Sequence, residues 1–278
     1  KKGILEYSTR ETYSNVNDIV HPIVREVLID LDLQRFIELK TFGFASGGAG
    51  LGGSASFIIS LVSSLCSAFE LNLNLNEIIE KACFIEINKL NKPIGKQDQY
   101  LCANKGFSSF NFYDDNQVKE NYLSQSKLLT LRKLVNNFYL IPTYKTRNSD
   151  SVLSKIKSHE NSLEQILEIR SIASKFISFE DDRNYIIEEL FHDSIRDSWE
   201  IKKSMSNVMT ISLSEQYEEI NKLIPNNWIR LVGAGQGGYF LISSKINEKE
   251  VNELSNNKCL KGIFKATVSD EGASILKV

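Results

Sequence analysis

An α+β fold in two lobes is what this sequence predicts, and three observations carry that expectation. The chain has 278 residues, more than one compact core usually holds at roughly 100 to 200 residues per domain. Its first part reads as strand, glycine-rich loop and apolar helix. Its second part reads as long helical patterns and then short strands around another glycine cluster. The boundary is placed near Ser124, with an N-terminal domain over 1–123 and a C-terminal domain over 124–278.

Taken in order, Ile4 to Ser8 alternates as a strand and the polar stretch Thr9 to Asp18 reads as a loop. His21-Pro22 opens a helix, because proline at the first helical position gives up an N–H that has no intrahelical partner. Ile23, Val27 and Leu31 then share a face. Arg35 to Phe44 reads as a strand leading into Gly47–Ser56, and Ala55 to Phe69 is apolar enough all round to be a buried helix. Asn74 and Glu77 have capping-box spacing, so a helix is expected from Leu75 to about Leu90. Pro93 and Gly95 end that pattern, and a short helix is expected over Gln97 to Ala103. Phe107 to Tyr113 reads as a strand turned by Asp114-Asp115-Asn116. Beyond Ser124 come a strand at Phe138 to Tyr144, helices at Ser151 to Lys157, Leu163 to Ile177 and Glu180 to Met205, and two strands, Ile229 to Gly233 and Tyr239 to Ser243. A helix at Glu248 to Cys259 and a strand at Gly262 to Val268 complete the pattern.

Charged residues make up 24% and hydrophobic ones 42%, with a formal net charge of −2. That balance suits a globular protein and offers no clustered basic excess for nucleic acid. No apolar run reaches the roughly 18 residues a membrane span needs. Cys66, Cys83, Cys102 and Cys259 show no C-x-x-C pairing, and three of them sit in apolar surroundings, so buried thiols in a reducing cytoplasm are expected. His21, His159 and His192 lack metal-ligand spacing.

The chemistry is concentrated in four places. Gly47 to Ser56, with Gly48, Ala49, Gly50, Leu51, Gly52, Gly53, Ser54 and Ala55 at its centre, can turn sharply and present backbone amides at a helix N-terminus, where an anion is favoured. The alternative is a tight connection that binds nothing. The Ser54 hydroxyl and Glu86 are candidate Mg²⁺ ligands, since that ion needs only one or two carboxylates beside water and phosphates; a solvated helix carboxylate is the other reading of Glu86. Asp98, within Lys96-Gln97-Asp98-Gln99, is placed either to accept a proton from a substrate hydroxyl or to cap the helix that follows. The cluster Gly233 to Gly238, including Gly235 and Gln236, either makes a hairpin or lets backbone approach a site. Arg147 is a candidate partner for an anionic group, or a surface arginine.

In order and spacing these segments resemble the GHMP kinases. Ala49-Gly50-Leu51-Gly52-Gly53-Ser54-Ala55 is similar to the family's second motif and Val232 to Tyr239 to its third. Pro93-Ile94-Gly95-Lys96-Gln97-Asp98-Gln99-Tyr100, with His21 to Glu26, Thr146-Arg147 and Ser198 to Ser204, is similar to the heptose 7-phosphate kinase branch. The resemblance implies a two-lobed architecture with the active site between the lobes, ATP and Mg²⁺ as cofactors, and a sugar phosphate as substrate. Asp98 would be the base, Gly48 to Ala55 the phosphate cradle, Ser54 and Glu86 the magnesium ligands, and Lys96, Gln97, Arg147, Gly235 and Gln236 substrate contacts. It implies no nucleic-acid or membrane partner, leaves a homodimer open, and suggests a role in making activated heptose for surface polysaccharides. The same motifs leave two alternatives: another sugar-1-kinase of the fucose or galactose type, or a homologue that binds sugar phosphate without turnover. Three departures accompany the resemblance: no counterpart of the family's opening strand and glycine turn, so that the chain is expected to be truncated; Gly53 in place of a serine; and Gln236 within the last glycine run.

Overall fold

The computed structural model describes residues 2–43, 49–145, 149–157, 161–205, 208–225, 227–246 and 248–276. These fall into two compact units, the first within Lys1–Gly47, Gly52–Lys105 and Glu271–Val278, the second within Gly48–Leu51 and Gly106–Asp270.

In the first unit, strand β1 (Gly3–Glu6) pairs antiparallel with β2 (Arg10–Tyr13) and parallel with β3 (Glu38–Lys40), in the order β2-β1-β3. The stretch expected as a loop, Thr9 to Asp18, therefore holds a strand and a 3-10 turn at Val16–Asp18. The reason is that β2 lies at an edge and buries only Tyr13, so no alternation marks it. Tyr13 does the fastening: its hydroxyl donates to the Arg35 carbonyl at 2.8 Å and accepts from the Ile37 amide at 3.1 Å. The expected strand over 35–44 is confined to β3, and residues 44–48 lie outside the described residues.

Helix α1 (Pro22–Asp30) begins as expected with Pro22 in its first turn and buries Ile23 and Val27 of the predicted face together with Val24 and Leu28, while Leu31 is the C-cap and only half-buried. Helix α2 (Gly53–Ala68) buries Ile58, Ile59, Val62 and Leu65 among others; full burial of such side chains stabilises by roughly 1.5–3 kcal/mol each. Helix α3 (Leu75–Phe84) carries the predicted capping box, the Asn74 side chain accepting from the Glu77 amide at 3.0 Å and the Glu77 carboxylate from the Asn74 amide at 2.7 Å. Its last turn widens into a π-turn, Ile85–Lys89. Helix α4 (Gln97–Ala103) has the predicted bounds.

In the second unit, β4 (Ser109–Phe112) and β5 (Val118–Asn121) form a hairpin whose turn holds Asn116 at φ 65°. Strands β6 (Phe138–Pro142), β7 (Trp228–Leu231), β8 (Tyr239–Ser243) and β9 (Phe264–Lys265) build an antiparallel sheet ordered β7-β8-β6-β9. Six helices accompany them among the described residues: α5 (Gln125–Val135), α6 (Ser149–Lys157), α7 (Ser162–Ser178), α8 (Asn184–Ser204), α9 (Ile211–Leu223) and α10 (Glu248–Leu254). Ile141, Ile229, Leu231, Phe240 and Ile242 pack with Trp199, Leu213 and Ile220. Phe138 and Trp228 pack with Leu131, Leu134 and Val135. Helices α5 and α9 escaped the sequence reading because their buried positions are diluted: Lys127 and Thr130 share the inner face of α5, and α9 buries only Leu213 and Ile220. Among the described residues no helix is long and apolar enough to cross a membrane.

The start of α1 is sensitive to pH. The His21 Nδ1 accepts from the Val24 amide at 3.4 Å, an acceptor that protonation removes. Burial holds this imidazole below its ordinary value, with the Glu11 carboxylate pulling the other way. A folded-state value below the unfolded one means that the unfolded chain binds the proton more readily, so the contribution of His21 is complete above its ordinary pKa and is lost as pH falls through the lower folded value. His21→Asn keeps a capping acceptor that does not titrate. Urea midpoints measured from pH 7 down to pH 5 should therefore fall more for the wild type than for this variant; parallel profiles would remove His21 from the account.

Candidate active site

The glycine loop ends at Gly52, which has φ 71° and occupies the N-cap of α2. No side chain caps this helix and no acid lies in its first turn. The first amides of a 16-residue helix, those of Gly53, Ser54 and Ala55 among them, thus have no side-chain cap among the described residues and can serve an external acceptor, with the positive end of the helix dipole behind them. A Cβ on Gly52 would stand 2.9 Å from Cys102 Sγ, whereas one on Gly53 would meet nothing within 4 Å among the described residues. The missing serine hydroxyl at Gly53 therefore leaves open space and an intact backbone donor. Gly48 lies outside the described residues, while Ala49, Gly50 and Leu51 lie within them, Gly50 at φ 78°.

Ser54 and Glu86 meet. The Ser54 hydroxyl donates to Glu86 Oε1 at 2.5 Å, and Glu86 is fully buried, which overturns its reading as a solvated helix carboxylate. Ile79, Ala82, Cys83 and Glu86 stand at i, i+3, i+4 and i+7, all of them buried, so the carboxylate occupies the last position of an apolar stripe. That placement is the signal by which sequence alone could have separated it from surface acids. The π-turn adds a residue to the coil at this point, as such turns do at functional sites.

Two further residues complete the cluster, and neither was picked out from the sequence. The Lys92 ammonium donates to Glu86 Oε1 at 2.6 Å and to Ser54 Oγ at 2.9 Å. The Gln99 amide donates to Glu86 Oε2 at 2.6 Å. Gln99 is itself buried, and its Oε1 has no hydrogen-bond partner among the described residues. Lys92 carries no sequence signal, since it stands in an irregular segment after α3. Gln99 adjoins Asp98, but only the orientation of α4 tells which of the two turns inward.

Asp98 is in the first turn of α4 and is exposed to solvent. Lys96, not Asp98, occupies the N-cap position, and no side chain caps the helix, so capping is not what Asp98 does. Lys96 donates to Glu80 Oε2 at 2.7 Å, and the Tyr100 hydroxyl donates to Glu80 Oε1 at 2.6 Å; the pair fastens the start of α4 to α3. Gln97 is exposed beside them. Among the described residues no three His, Cys, Asp or Glu side chains are grouped to hold a metal ion. The Ser54 and Glu86 oxygens suit a hard cation that takes its other ligands from phosphate and water.

In the second unit the later glycine cluster is a close-approach device. Strands β7 and β8 flank it as a hairpin, and a Cβ on Gly238 would fall 2.3 Å from the Ala49 carbonyl oxygen. The Gly238 carbonyl accepts from both the amide and the hydroxyl of Thr143, each at 2.9 Å. Gln236 takes φ 60°, and its amide donates to the Val208 carbonyl at 2.8 Å, beside Gly235. Arg147 lies outside the described residues.

With this geometry in place, the comparisons with known proteins can be read. Residues 23–106 match the family model described as the GHMP kinases N terminal domain, and that span holds α2, Ser54, Glu86, Lys92 and Asp98. That segment is thus similar to a GHMP kinase N-terminal domain. Over 245 residues it is 28% identical to the D-glycero-alpha-D-manno-heptose 7-phosphate kinase of Campylobacter jejuni, covering 84% of this chain and 70% of that protein. The fold matches a D-glycero-D-manno-heptose 1-phosphate kinase from Bacteriodes thetaiotaomicron at TM-score 0.66 and 18% identity, over 100% of this chain and 83% of that one. It also matches the Methanococcus jannaschii mevalonate kinase at TM-score 0.68 and 18% identity, over 95% of this chain and 83% of that one. The Lactococcus lactis galactokinase complexed with galactose matches at TM-score 0.67 and 14% identity, over 99% of this chain and 84% of that one. The mixed helix and sheet architecture is thus the GHMP kinase fold.

The two adjacent glycines of this loop should respond differently to a methyl group. Gly52→Ala forces a left-handed conformation and a contact with Cys102 and should lower stability by about 1–2 kcal/mol. Gly53→Ala fills empty space at a helix start and should be neutral or stabilising by up to about 1 kcal/mol. Urea denaturation of both variants checks this; equal losses would contradict it.

Proposed function

We propose that this GHMP-type enzyme is an ATP-dependent sugar kinase that phosphorylates the anomeric hydroxyl of D-glycero-D-manno-heptose 7-phosphate, giving the 1,7-bisphosphate. The observation that carries the reading is the convergence of the uncapped α2 N-terminus, the Ser54–Glu86 pair and, through Gln99, the first turn of α4 with Asp98. The similarity to a heptose 7-phosphate kinase supports the choice of sugar.

In this reading the loop amides and the α2 dipole hold the ATP phosphates, and Ser54 and Glu86 hold Mg²⁺. Bound there, the ion would neutralise charge on the phosphates. Asp98 orients the acceptor hydroxyl and takes its proton as the sugar oxygen bonds to the γ-phosphorus and the bond to the bridging oxygen of ADP breaks. An anomeric hydroxyl is more acidic than an ordinary alcohol, so positioning by Asp98 matters more than base strength. Lys96, Gln97, Gly235, Gln236 and Arg147 are assigned to the substrate.

Asp98→Asn should lower kcat by about a hundredfold or more, the scale of losing a general base. A loss below about threefold, far under that scale, removes Asp98 from the chemistry. Substrate choice is checked by thermal shift. Heptose 7-phosphate should raise the melting temperature in the presence of a non-hydrolysable ATP analogue, and free galactose or fucose should not. Stabilisation by a free sugar alone would reassign the enzyme to the free-sugar kinases.

A further inference from the structure

Lys92 stands where a divalent ion would stand. Its ammonium is 2.6 Å from Glu86 Oε1 and 2.9 Å from Ser54 Oγ, the same two oxygens assigned above to Mg²⁺, which binds such ligands at about 2.0–2.1 Å. The three groups form a closed ring, with Lys92 donating to Ser54, Ser54 donating to Glu86, and Lys92 donating to Glu86 as well. The ring engages one of the two lone pairs on Ser54 Oγ together with Glu86 Oε1, the oxygens an ion would use. An ammonium and a divalent cation sharing these oxygens would repel each other at close range in a poorly screened setting.

The lysine is also built to leave. Its carboxylate partner is fully buried, but the Lys92 side chain itself is 21% exposed. It extends from the irregular segment between the π-turn and α4, directly after Asn91 at φ 51°. Glu86, by contrast, keeps Gln99 as a second donor on its other oxygen. Withdrawal of Lys92 would therefore leave Glu86 oriented and able to accept a different cation.

We propose that Lys92 is a tethered counter-cation that holds the Ser54–Glu86 pair in the metal-free protein and must be displaced before a divalent ion binds there. It makes the site poor at capturing free Mg²⁺ and suited to an ion arriving with nucleotide, whose phosphates offer the released ammonium a new partner. This rests on the assignment of Ser54 and Glu86 as metal ligands.

The test uses Mn²⁺ as the probe, with free ion counted by electron paramagnetic resonance in the absence of nucleotide. Lys92→Met should bind Mn²⁺ about tenfold or more tightly than wild type, because a competing positive charge has gone, and the added change Glu86→Gln should abolish the gain. Equal or weaker binding by Lys92→Met, with Glu86→Gln still reducing binding, would overturn the proposal while leaving the metal assignment intact. If Glu86→Gln changes Mn²⁺ binding in neither background, the metal assignment falls, and the proposal with it. Where Lys92→Met does not fold, wild-type protein carries the test: acetylation of Lys92 by an amine-reactive ester, read by mass spectrometry, should rise about threefold or more when saturating Mn²⁺, without nucleotide, displaces the ammonium from its charged partner. Unchanged or reduced labelling would overturn the proposal.

Discussion

A buried carboxylate sets the terms for the first unit. Taking such a group out of water costs several kcal/mol unless hydrogen bonds and an opposite charge replace its hydration. Glu86 is fully buried, and the apolar stripe it belongs to cannot close without burying it. Its donors come from three separate segments: Ser54 at the start of α2, Lys92 after the π-turn and Gln99 in α4. The hydrophobic packing of α2 and α3 and the polar arrangement of the site are therefore one requirement. Removing the charged donor with no other cation to replace it would disturb both, on the scale of about 3–5 kcal/mol.

That dependence explains which parts of the protein were legible in the sequence. The helix starts were, because their signals are local: Pro22 in a first turn, the Asn74–Glu77 capping box and the break at Pro93 and Gly95 ahead of α4. Ser54 and Glu86 were legible as residue types that bind hard cations, though not as a contact. What could not be read was long-range. Lys92 is an ordinary polar residue until the chain folds back and its ammonium reaches Ser54, and β2 became a strand only because Tyr13 found the backbone at Arg35 and Ile37. Helices α5 and α9 fell between these cases, their periodicity present but thinned by polar residues on the inner face.

The glycines of the two loops answer different constraints. At Gly52 the chain needs a left-handed turn so that α2 can begin with its amides uncovered. At Gly238 it needs room, because the Ala49 carbonyl stands where a side chain would be. Gln236 adopts a left-handed conformation in the same cluster and uses its own amide to hold the Val208 carbonyl. Its presence in a glycine run therefore has a backbone account: the strain of a non-glycine residue there, of order 1–3 kcal/mol, is offset in part by a hydrogen bond. Gly53 is the opposite case, a glycine where neither conformation nor space among the described residues requires one.

Two carboxylates twelve residues apart are thus given opposite environments within one unit. Glu86 is enclosed by donors that fix both of its oxygens, the arrangement of a ligand whose position must not vary. Asp98 faces solvent one residue before Gln99, in the first turn of a short helix, where negative charge sits well against the helix dipole. The two environments suit the roles proposed for them, since a group that receives a proton and passes it on needs contact with solvent and a group that holds a cation needs rigidity. Gln99 connects the two, because its backbone continues from Asp98 and its side chain ends on Glu86. A shift of α4 that misplaced Asp98, the proposed base, would therefore also strip a donor from the buried carboxylate, so the energetics that hold Glu86 in place also hold Asp98 in register with it.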